Sequence, residues 1–226
     1  MKFPDSIILS LDYAKAFDTV SISAIKKALA YFGFDGNFIK WVNILLHSRL
    51  SCVQNGGYLS EYFQMERGVR QGCPISPLFF ILTLELLARN IRKSPSIKGL
   101  SFSGTPVKIR LYADDATLFL RDMIDYREVL SRIKSFTSFS GLCLNKQKSA
   151  AMMLGNIHFK NRIKFGIKFQ NTLTILGITF SNECSANEIA ENYNKKIAQL
   201  ERLCHLWGKR FLTLLGRITI LKSFGI

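Results

Sequence analysis

The spacing of hydrophobic residues divides the chain into strand-like and helix-like segments. The apolar run SIILSLD predicts a short buried strand that ends at Asp12. Apolar residues at helical spacing predict one helix near 21–32 and another near 37–47. The following segment, CVQNGGYLSEYF, is typical of a hairpin, because Asn55-Gly56 readily adopts the positive φ angles of a tight turn.

Boundary signals are stronger in the middle of the chain. After the loop GVRQGCPISP, a long helix is expected to begin with Ser76 as its N-cap and Pro77 in its first position. A strand pair is predicted around Asp114. It is followed by a helix near 125–140 that ends at Gly141, a residue suited to the left-handed conformation of a helix C-terminus.

The C-terminal third continues with strands and then with helices. The segments IKFGIKF and TLTILGITF predict strands of a further hairpin. The capping box SANE at 185–188 opens a long helix through Trp207, and FLTLLGRITILKSF predicts another helix. Because strands and helices are mixed rather than strictly alternating, the sequence predicts an α+β fold.

Two neighbouring carboxylates interrupt an otherwise apolar strand. In RLYADDATLFL, Asp114 and Asp115 stand side by side among residues that favour a core. Ionised carboxylates leave water only when something compensates their charge. Two explanations stay open at this point: an ordinary polar hairpin turn in solvent, or a bound cation.

The chain is strongly basic, and its charge is unevenly distributed. The formal net charge of +15 predicts a polyanionic partner. Nucleic acid is favoured over a membrane, since the longest apolar stretch is too short to span a bilayer and contains Glu85. No acidic residue lies between Glu128 and Glu183, which indicates either a solvated basic face or phosphate contacts. This interval contains Arg132, Lys134, Lys146, Lys148, Lys160, Arg162, Lys164 and Lys168.

The cysteines suggest neither disulfides nor a metal finger. There are five, an odd number, and none belongs to a CxxC pair. We therefore expect reduced thiols in an intracellular protein of the nucleus or the cytoplasm. The N-terminal segment MKFPDSIILSL does not have the pattern of a secretory signal, so the protein is not expected to be secreted.

Three acidic residues could together support phosphoryl transfer. Nucleotide transfer to a 3′-hydroxyl depends on two cations, and hard cations such as Mg²⁺ require a cluster of oxygen ligands. Asp114 and Asp115 at a hairpin tip, joined by Asp12 at the end of a buried strand, would supply that cluster. Bound metal would also offset the repulsion between the two adjacent carboxylates.

Five ordered segments give the chain a family resemblance. It resembles reverse transcriptases in the segments SLDYAKAFDTV, RGVRQGCPISPLFFIL, YADD, GLCLNKQKSA and LGITF. The first two are most similar to the non-LTR (LINE-type) retrotransposon branch. The YADD segment alone is weakly specific, whereas five motifs in the family's order are strongly so. The resemblance covers essentially the whole chain.

The resemblance implies a polymerase palm, which is a ferredoxin-like antiparallel sheet with helices on one face. Residues 1–182 would form this palm with part of the fingers, about 36–75, and a primer-grip hairpin, about 163–181. Residues 183–226 would begin a helical thumb that is truncated. Since the family's N-terminal fingers segment is also missing, the chain is expected to be a fragment.

The resemblance also implies roles around the carboxylates. Asp12, Asp114 and Asp115 would be catalytic and would hold two Mg²⁺ ions, with Mn²⁺ as a substitute. Asp18 also matches the family, but it is interpreted as structural, for example as the cap of the following helix. Phe17 would be a sugar gate that collides with the 2′-hydroxyl of a ribonucleotide, although core packing also explains an isolated phenylalanine.

A loop before the long helix resembles the family's loop that contacts the nascent base pair. Arg70, Gln71 and Gly72 belong to it and are predicted to bind substrate. Glycine allows the backbone to approach the template closely, and the Gln71 amide can form hydrogen bonds without adding charge. A plain helix entry rich in proline and glycine is the alternative, but it leaves Arg70 and Gln71 unexplained.

Two further motifs have implied roles. Lys148 matches a lysine proposed to protonate the leaving pyrophosphate. A role in phosphate binding is equally open, and neighbouring Lys146 leaves the register undecided. Leu176 and Gly177 in LGITF resemble the primer grip, a hairpin that holds the primer end.

Taken as a member of this family, the chain is expected to be the core of an RNA-directed DNA polymerase. Its partners would be an RNA template, a DNA primer and deoxynucleoside triphosphates, with no membrane; the oligomeric state is left open. The alternative is an inactive nucleic-acid-binding remnant of such an element. An RNA-dependent RNA polymerase is disfavoured by Phe17, because enzymes that use ribonucleotides need room at that position.

Overall fold

A computed structural model describes residues 5–155, 163–183 and 186–224. The chain divides into two compact units, Met1–Leu173 and Thr174–Ile226. The sequence predicts the boundary between palm and thumb after residue 182, whereas the boundary between the two compact units falls between Leu173 and Thr174. The assignment of palm, fingers and thumb to these ranges stays a prediction.

Helices and strands are mixed along the chain, as the sequence predicted. The helices are α1 (Ala16–Thr19), α2 (Ile22–Tyr31), α3 (Gly36–Leu46), α4 (Ser76–Lys93), α5 (Met123–Ser140), α6 (Ala186–Gly208) and α7 (Leu214–Phe224). The strands are β1 (Ser6–Leu11), β2 (Tyr13–Ala14), β3 (Arg49–Ser51), β4 (Gln54–Asn55), β5 (Tyr58–Leu59), β6 (Phe63–Met65), β7 (Leu100–Phe102), β8 (Thr105–Val107), β9 (Ile109–Tyr112), β10 (Asp115–Leu120), β11 (Cys143–Leu144), β12 (Ala150–Leu154), β13 (Ile163–Lys164), β14 (Ile167–Gln170), β15 (Thr172–Ile175) and β16 (Ile178–Ser181).

A six-stranded sheet forms the centre of the first unit. Its strand order is β13-β14-β12-β1-β10-β9. Strand β1 pairs antiparallel with both β10 and β12, and only the β12–β14 pairing is parallel. The first strand is therefore central, which explains why SIILSL is almost continuously apolar and buried. Helix α4 packs against β9 and helix α5 against β10, while α2 contacts both helices.

Several helix ends match the boundary signals in the sequence. Ser21 caps α2 by accepting a hydrogen bond from the Ala24 amide at 3.1 Å. Helix α5 ends at Gly141, which has a φ of 76° and the left-handed conformation expected of a helix C-terminus. The predicted cap of α4 is wrong: Ile75 occupies the N-cap position with no side-chain hydrogen bond, and Ser76 is already helical. Proline nevertheless lies in the first turn of α4, as expected.

The predicted hairpins form, but their turns differ in detail. The first turn consists of Gly56-Gly57, with φ of 57° and 87°, because Asn55 is paired with Tyr58. The Asn55-Gly56 turn predicted from the sequence is thus one residue too early. The region predicted as one hairpin near 163–181 contains two, β13–β14 and β15–β16.

A buried carboxylate fixes the start of α5. Asp125 is only 1% exposed. Its oxygens accept backbone hydrogen bonds from Lys98, Gly99 and Arg121, at 2.9, 2.9 and 3.1 Å. These bonds satisfy the buried charge and tie the chain before β7 to the end of β10.

The second unit contains two long helices. A pair of bonds joins β16 to α6: the Thr179 amide donates to Asn192 Oδ1, and Asn192 Nδ2 donates to the Thr179 carbonyl. The predicted capping box at 185–188 falls partly outside the described residues. No helix in the described part of the chain is long and apolar enough to cross a membrane. The four cysteines within that part, Cys52, Cys73, Cys143 and Cys204, are free.

Candidate active site at the end of the central strands

The pairing of β1 with β10 brings the predicted carboxylates to one end of the sheet. Leu11 is paired with Ala116 in an antiparallel register. Continued by one residue, this register sets Asp12 opposite Asp115. Asp114 lies in the turn between β9 and β10, next to Ala113, whose φ is 52°. Residues far apart in the sequence therefore meet at this turn.

The three carboxylates also influence one another through their charges. The pKa of Asp115 is raised, first because partial burial penalises its charged form, and then because the charges of Asp114 and Asp12 repel that form. All three side chains are half-buried or exposed, so solvent and ligands can reach them. The site thus concentrates negative charge without burying it.

The donor chemistry of the three residues suits a hard divalent cation, since carboxylate oxygens are the ligands that Mg²⁺ prefers. Within the part of the chain that the structure describes, however, no group of three or more histidine, cysteine or acidic side chains forms a metal site. The backbone positions of Asp12, Asp114 and Asp115 nevertheless lie at one end of the sheet. The predicted ligand set therefore stays a prediction.

A turn after β11 holds the backbone of Asp12 from two sides. The Asp12 amide donates to Ser149 Oγ at 3.1 Å, and the Asn145 amide donates to the Asp12 carbonyl at 2.8 Å. Ser149 is only 1% exposed, and its own amide donates to the Asn145 carbonyl at 2.8 Å. The pairing of Leu144 with Tyr13 brings this turn beside Asp12.

The same turn carries the two lysines whose roles the sequence left undecided. Asn145 Oδ1 accepts from the amides of Gln147 and Lys148, both at 3.2 Å, which fixes the turn that presents Lys148. The Lys148 side chain is exposed. Lys146 lies over Gly166 in the β13–β14 turn, since a Cβ on that glycine would be 3.0 Å from Lys146 Cδ.

Sequence reasoning did not single out Asn145 and Ser149. Asparagine followed by polar residues is a recognised turn signal, and it was available in GLCLNKQKSA. That signal predicts a turn but cannot identify its tertiary partner, the backbone of Asp12.

Phe17, the predicted sugar gate, packs partly into the core. Its ring stacks on Phe80 with centroids 5.1 Å apart. Its carbonyl accepts from the Val69 amide at 2.7 Å, which joins α1 to the loop before α4. The neighbouring residue, Gly68, has no room for a side chain, because a Cβ there would lie 2.6 Å from the Asp18 carbonyl oxygen. Both interpretations of Phe17 therefore stay open: the ring is packed, and part of it is accessible.

The predicted substrate loop is exposed and anchored at its base. Arg70, Gln71 and Gly72 are all exposed, and Gly72 has a φ of 84° with open space around it. At the base, Arg49 is 7% exposed and donates to the carbonyls of Arg67 and Gly68 at 3.3 and 2.9 Å. Sequence reasoning missed Arg49, because nothing in its local pattern distinguishes it from a surface arginine.

Two other sequence predictions concern the β15–β16 turn and helix α1. Leu176 and Gly177, with φ of 50° and 77°, form the turn between β15 and β16, and Leu176 is 55% exposed. Asp18 lies inside α1, and the cap of the following helix is Ser21. The suggested capping role of Asp18 is therefore wrong, while the primer-grip role of Leu176 and Gly177 stays a prediction.

Solved structures of known proteins share this fold. The telomerase of Candida albicans, determined with a TWJ fragment of telomeric RNA, matches with a TM-score of 0.60 at 12% identity, over 98% of this chain and 43% of that one. The apo telomerase of Candida tropicalis matches with a TM-score of 0.57 at 13% identity, over 80% of this chain and 32% of that one. At these identities the likeness establishes the fold, a polymerase palm.

Relatives by sequence are retrotransposon proteins. The Pol polyprotein of the type-2 element R2DM from Drosophila melanogaster is 32% identical over 146 residues, 65% of this chain and 14% of that protein. The Pol polyprotein of the type-1 element R2 from Popillia japonica is 29% identical over 211 residues, 86% of this chain and 34% of that protein. The 149 kDa protein of transposon TX1 from Xenopus laevis is 28% identical over 149 residues, 66% of this chain and 11% of that protein.

These relatives agree with the LINE-type resemblance of the first two motifs. The chain spans between 11% and 34% of their lengths. The family description "Reverse transcriptase (RNA-dependent DNA polymerase)" matches residues 4–180, a range that includes all five ordered motifs. The chain belongs to the reverse transcriptase family.

Proposed function

We propose that this chain is the catalytic core of an RNA-directed DNA polymerase that adds deoxynucleotides to a primer 3′-hydroxyl. The observation that supports this most is the meeting of Asp12 and Asp115 at the end of paired central strands, with Asp114 in the adjoining turn. The raised pKa of Asp115 supports it further, because mutually repelling carboxylates gain most from a bound cation.

Asp12, Asp114 and Asp115 would hold two Mg²⁺ ions, or Mn²⁺ ions in their place. Bound there, the ions would activate the primer 3′-hydroxyl and stabilise the charge on the departing pyrophosphate. The chain's own part is to hold the backbone of Asp12 through Asn145 and Ser149, next to the strand that carries Asp115. Lys148, exposed on the same turn, would donate a proton to the pyrophosphate.

The remaining site residues would select and position substrates. Phe17 would lie beneath the sugar of the incoming nucleotide and exclude a 2′-hydroxyl. The loop of Arg70, Gln71 and Gly72 would contact the nascent base pair. RNA template, DNA primer and deoxynucleoside triphosphates are the proposed partners, and the net charge of +15 favours such polyanions.

A primer-extension assay tests this proposal. The chain is incubated with an oligo(dT) primer on poly(rA), labelled dTTP and Mg²⁺. We expect extension that requires a divalent cation and disappears in Asp114→Asn. The matched control is Glu61→Gln, which also neutralises one exposed carboxylate but lies in a hairpin outside the site. Unchanged extension by Asp114→Asn would refute the assigned metal ligands.

A second candidate is a nucleic-acid-binding protein without turnover. It is favoured by the net charge of +15, which attracts nucleic acid whether or not the carboxylates hold metal. It predicts salt-sensitive binding of an RNA–DNA hybrid, with no primer extension in Mg²⁺ or Mn²⁺. The extension assay therefore separates the two candidates.

A further inference from the structure

A groove with a basic rim lies between α5 and the β13–β14 turn. Its volume is 790 Å³. The floor is apolar and the rim carries three cationic side chains, Arg127, Lys134 and Lys146. The other lining residues are Leu130, Ser131, Ile133, Thr137, Leu144, Phe165 and Ile167. No role proposed above uses this groove.

The polar side of the groove is one stripe of α5. Arg127, Ser131, Lys134 and Thr137 follow one another at intervals of four, three and three residues, so they share a face of the helix. All four side chains can donate hydrogen bonds to phosphate oxygens. No acidic residue belongs to the lining that the structure describes. The rim is thus complementary to a polyanion.

An exposed aromatic ring stands at the opposite side. Phe165 is 58% exposed at the tip of the β13–β14 turn, where its backbone has a φ of 55°. The stem of Lys146 passes over Gly166 in the same turn, and Lys146 and Phe165 line the same groove. A basic surface with an accessible aromatic ring is the arrangement that binds single-stranded nucleic acid, with bases stacking and phosphates contacting the cations.

We propose that this groove binds a single-stranded nucleic acid, separately from the carboxylate site. Phe165 and the apolar floor would receive a base, and the α5 stripe would contact the flanking phosphates. An acidic peptide could match the charge of the rim, but it would have no specific use for an exposed stacking ring. The proposal does not depend on polymerase activity, because it concerns binding alone.

The test measures binding of fluorescent twelve-nucleotide oligouridylate and oligothymidylate by anisotropy. A blunt RNA–DNA hybrid is present at saturation so that the proposed polymerase site is occupied. We expect Phe165→Ala to weaken binding about tenfold, a typical loss for one stacked base. We expect Arg127→Ala/Lys134→Ala to weaken binding and to reduce the salt slope by about 1.4, since each phosphate contact to a single strand contributes about 0.7.

The control pair is Lys40→Ala/Lys98→Ala, which removes the same charge from two exposed positions outside the groove. An equal loss of binding in this control would overturn the proposal, because it would indicate attraction by net charge alone. Complete displacement of the oligonucleotide by the hybrid would overturn it as well. So would selective binding of a glutamate-rich peptide that responds to the groove variants when the oligonucleotides do not. Failure of primer extension leaves this binding result unaffected, so the two proposals fail separately.

Discussion

At the scale of single residues, the carboxylate site combines repulsion with precise backbone support. Asp115 has a raised pKa, so its ionised form costs folding free energy above that pKa, and the cost disappears as the pH falls through it. A cation held by Asp12, Asp114 and Asp115 would remove the cost at neutral pH. The backbone of Asp12 is meanwhile fixed by two hydrogen bonds from one turn.

Ser149 is therefore expected to position Asp12 rather than to react. In Ser149→Ala, the Asp12 amide loses its acceptor, and the Mg²⁺ concentration for half-maximal primer extension should rise roughly tenfold, as is typical when a supporting bond to a metal ligand is lost. Ser149→Thr, which keeps a hydroxyl, should restore most of the metal affinity.

Ser140→Ala is the matched control for this prediction. Ser140 is equally buried, but its hydroxyl accepts from the Leu142 amide at 3.3 Å, away from Asp12. An equal rise in the Mg²⁺ requirement in both alanine variants would mean that Ser149 acts only through general stability.

At the scale of elements, sequence signals succeeded where one residue's own conformation decides the structure. The end of α5 at Gly141 was predictable, because a left-handed C-terminal residue favours glycine. The turn at Gly56-Gly57 was predicted one residue early, since Asn-Gly and Gly-Gly both suit the same turn. The Asn145–Ser149 turn could not be assigned a role, because its partner Asp12 is distant in the sequence.

The end of α5 offers a stability test with an internal control. Gly141 is the C-cap of α5, and Gly33 directly follows Phe32, the C-cap of α2; their φ angles are 76° and 82°, so alanine is strained at either. At Gly141 a Cβ would also lie 2.7 Å from the Thr19 carbonyl oxygen, whereas Gly33 has open space. Chemical denaturation should show a loss of about 1 kcal/mol for Gly33→Ala, the cost of the left-handed conformation alone, and a distinctly larger loss for Gly141→Ala. Equal losses would contradict the close approach of Gly141 to the Thr19 carbonyl.

At the scale of the whole molecule, the five ordered motifs predicted both the family and the fold. The match to the reverse transcriptase family over residues 4–180 and the telomerase neighbours confirm them. The motifs predicted where the carboxylates lie: Asp12 directly follows the central strand β1, and Asp114 lies in the turn of the hairpin that pairs with it. The groove beside α5 could not be predicted, since it depends on how the β13–β14 turn packs near that helix.

The central claim, that Asp12, Asp114 and Asp115 share bound metal, is tested most directly by iron-directed cleavage. Fe²⁺ replaces Mg²⁺, and ascorbate with peroxide generates hydroxyl radicals that cut the backbone near the bound ion. Wild-type protein should be cut near residue 12 and near residues 113–115, both cuts should be suppressed by excess Mg²⁺, and both should disappear in Asp114→Asn. Cleavage at only one of these two segments, or cleavage that persists unchanged in Asp114→Asn, would contradict the account.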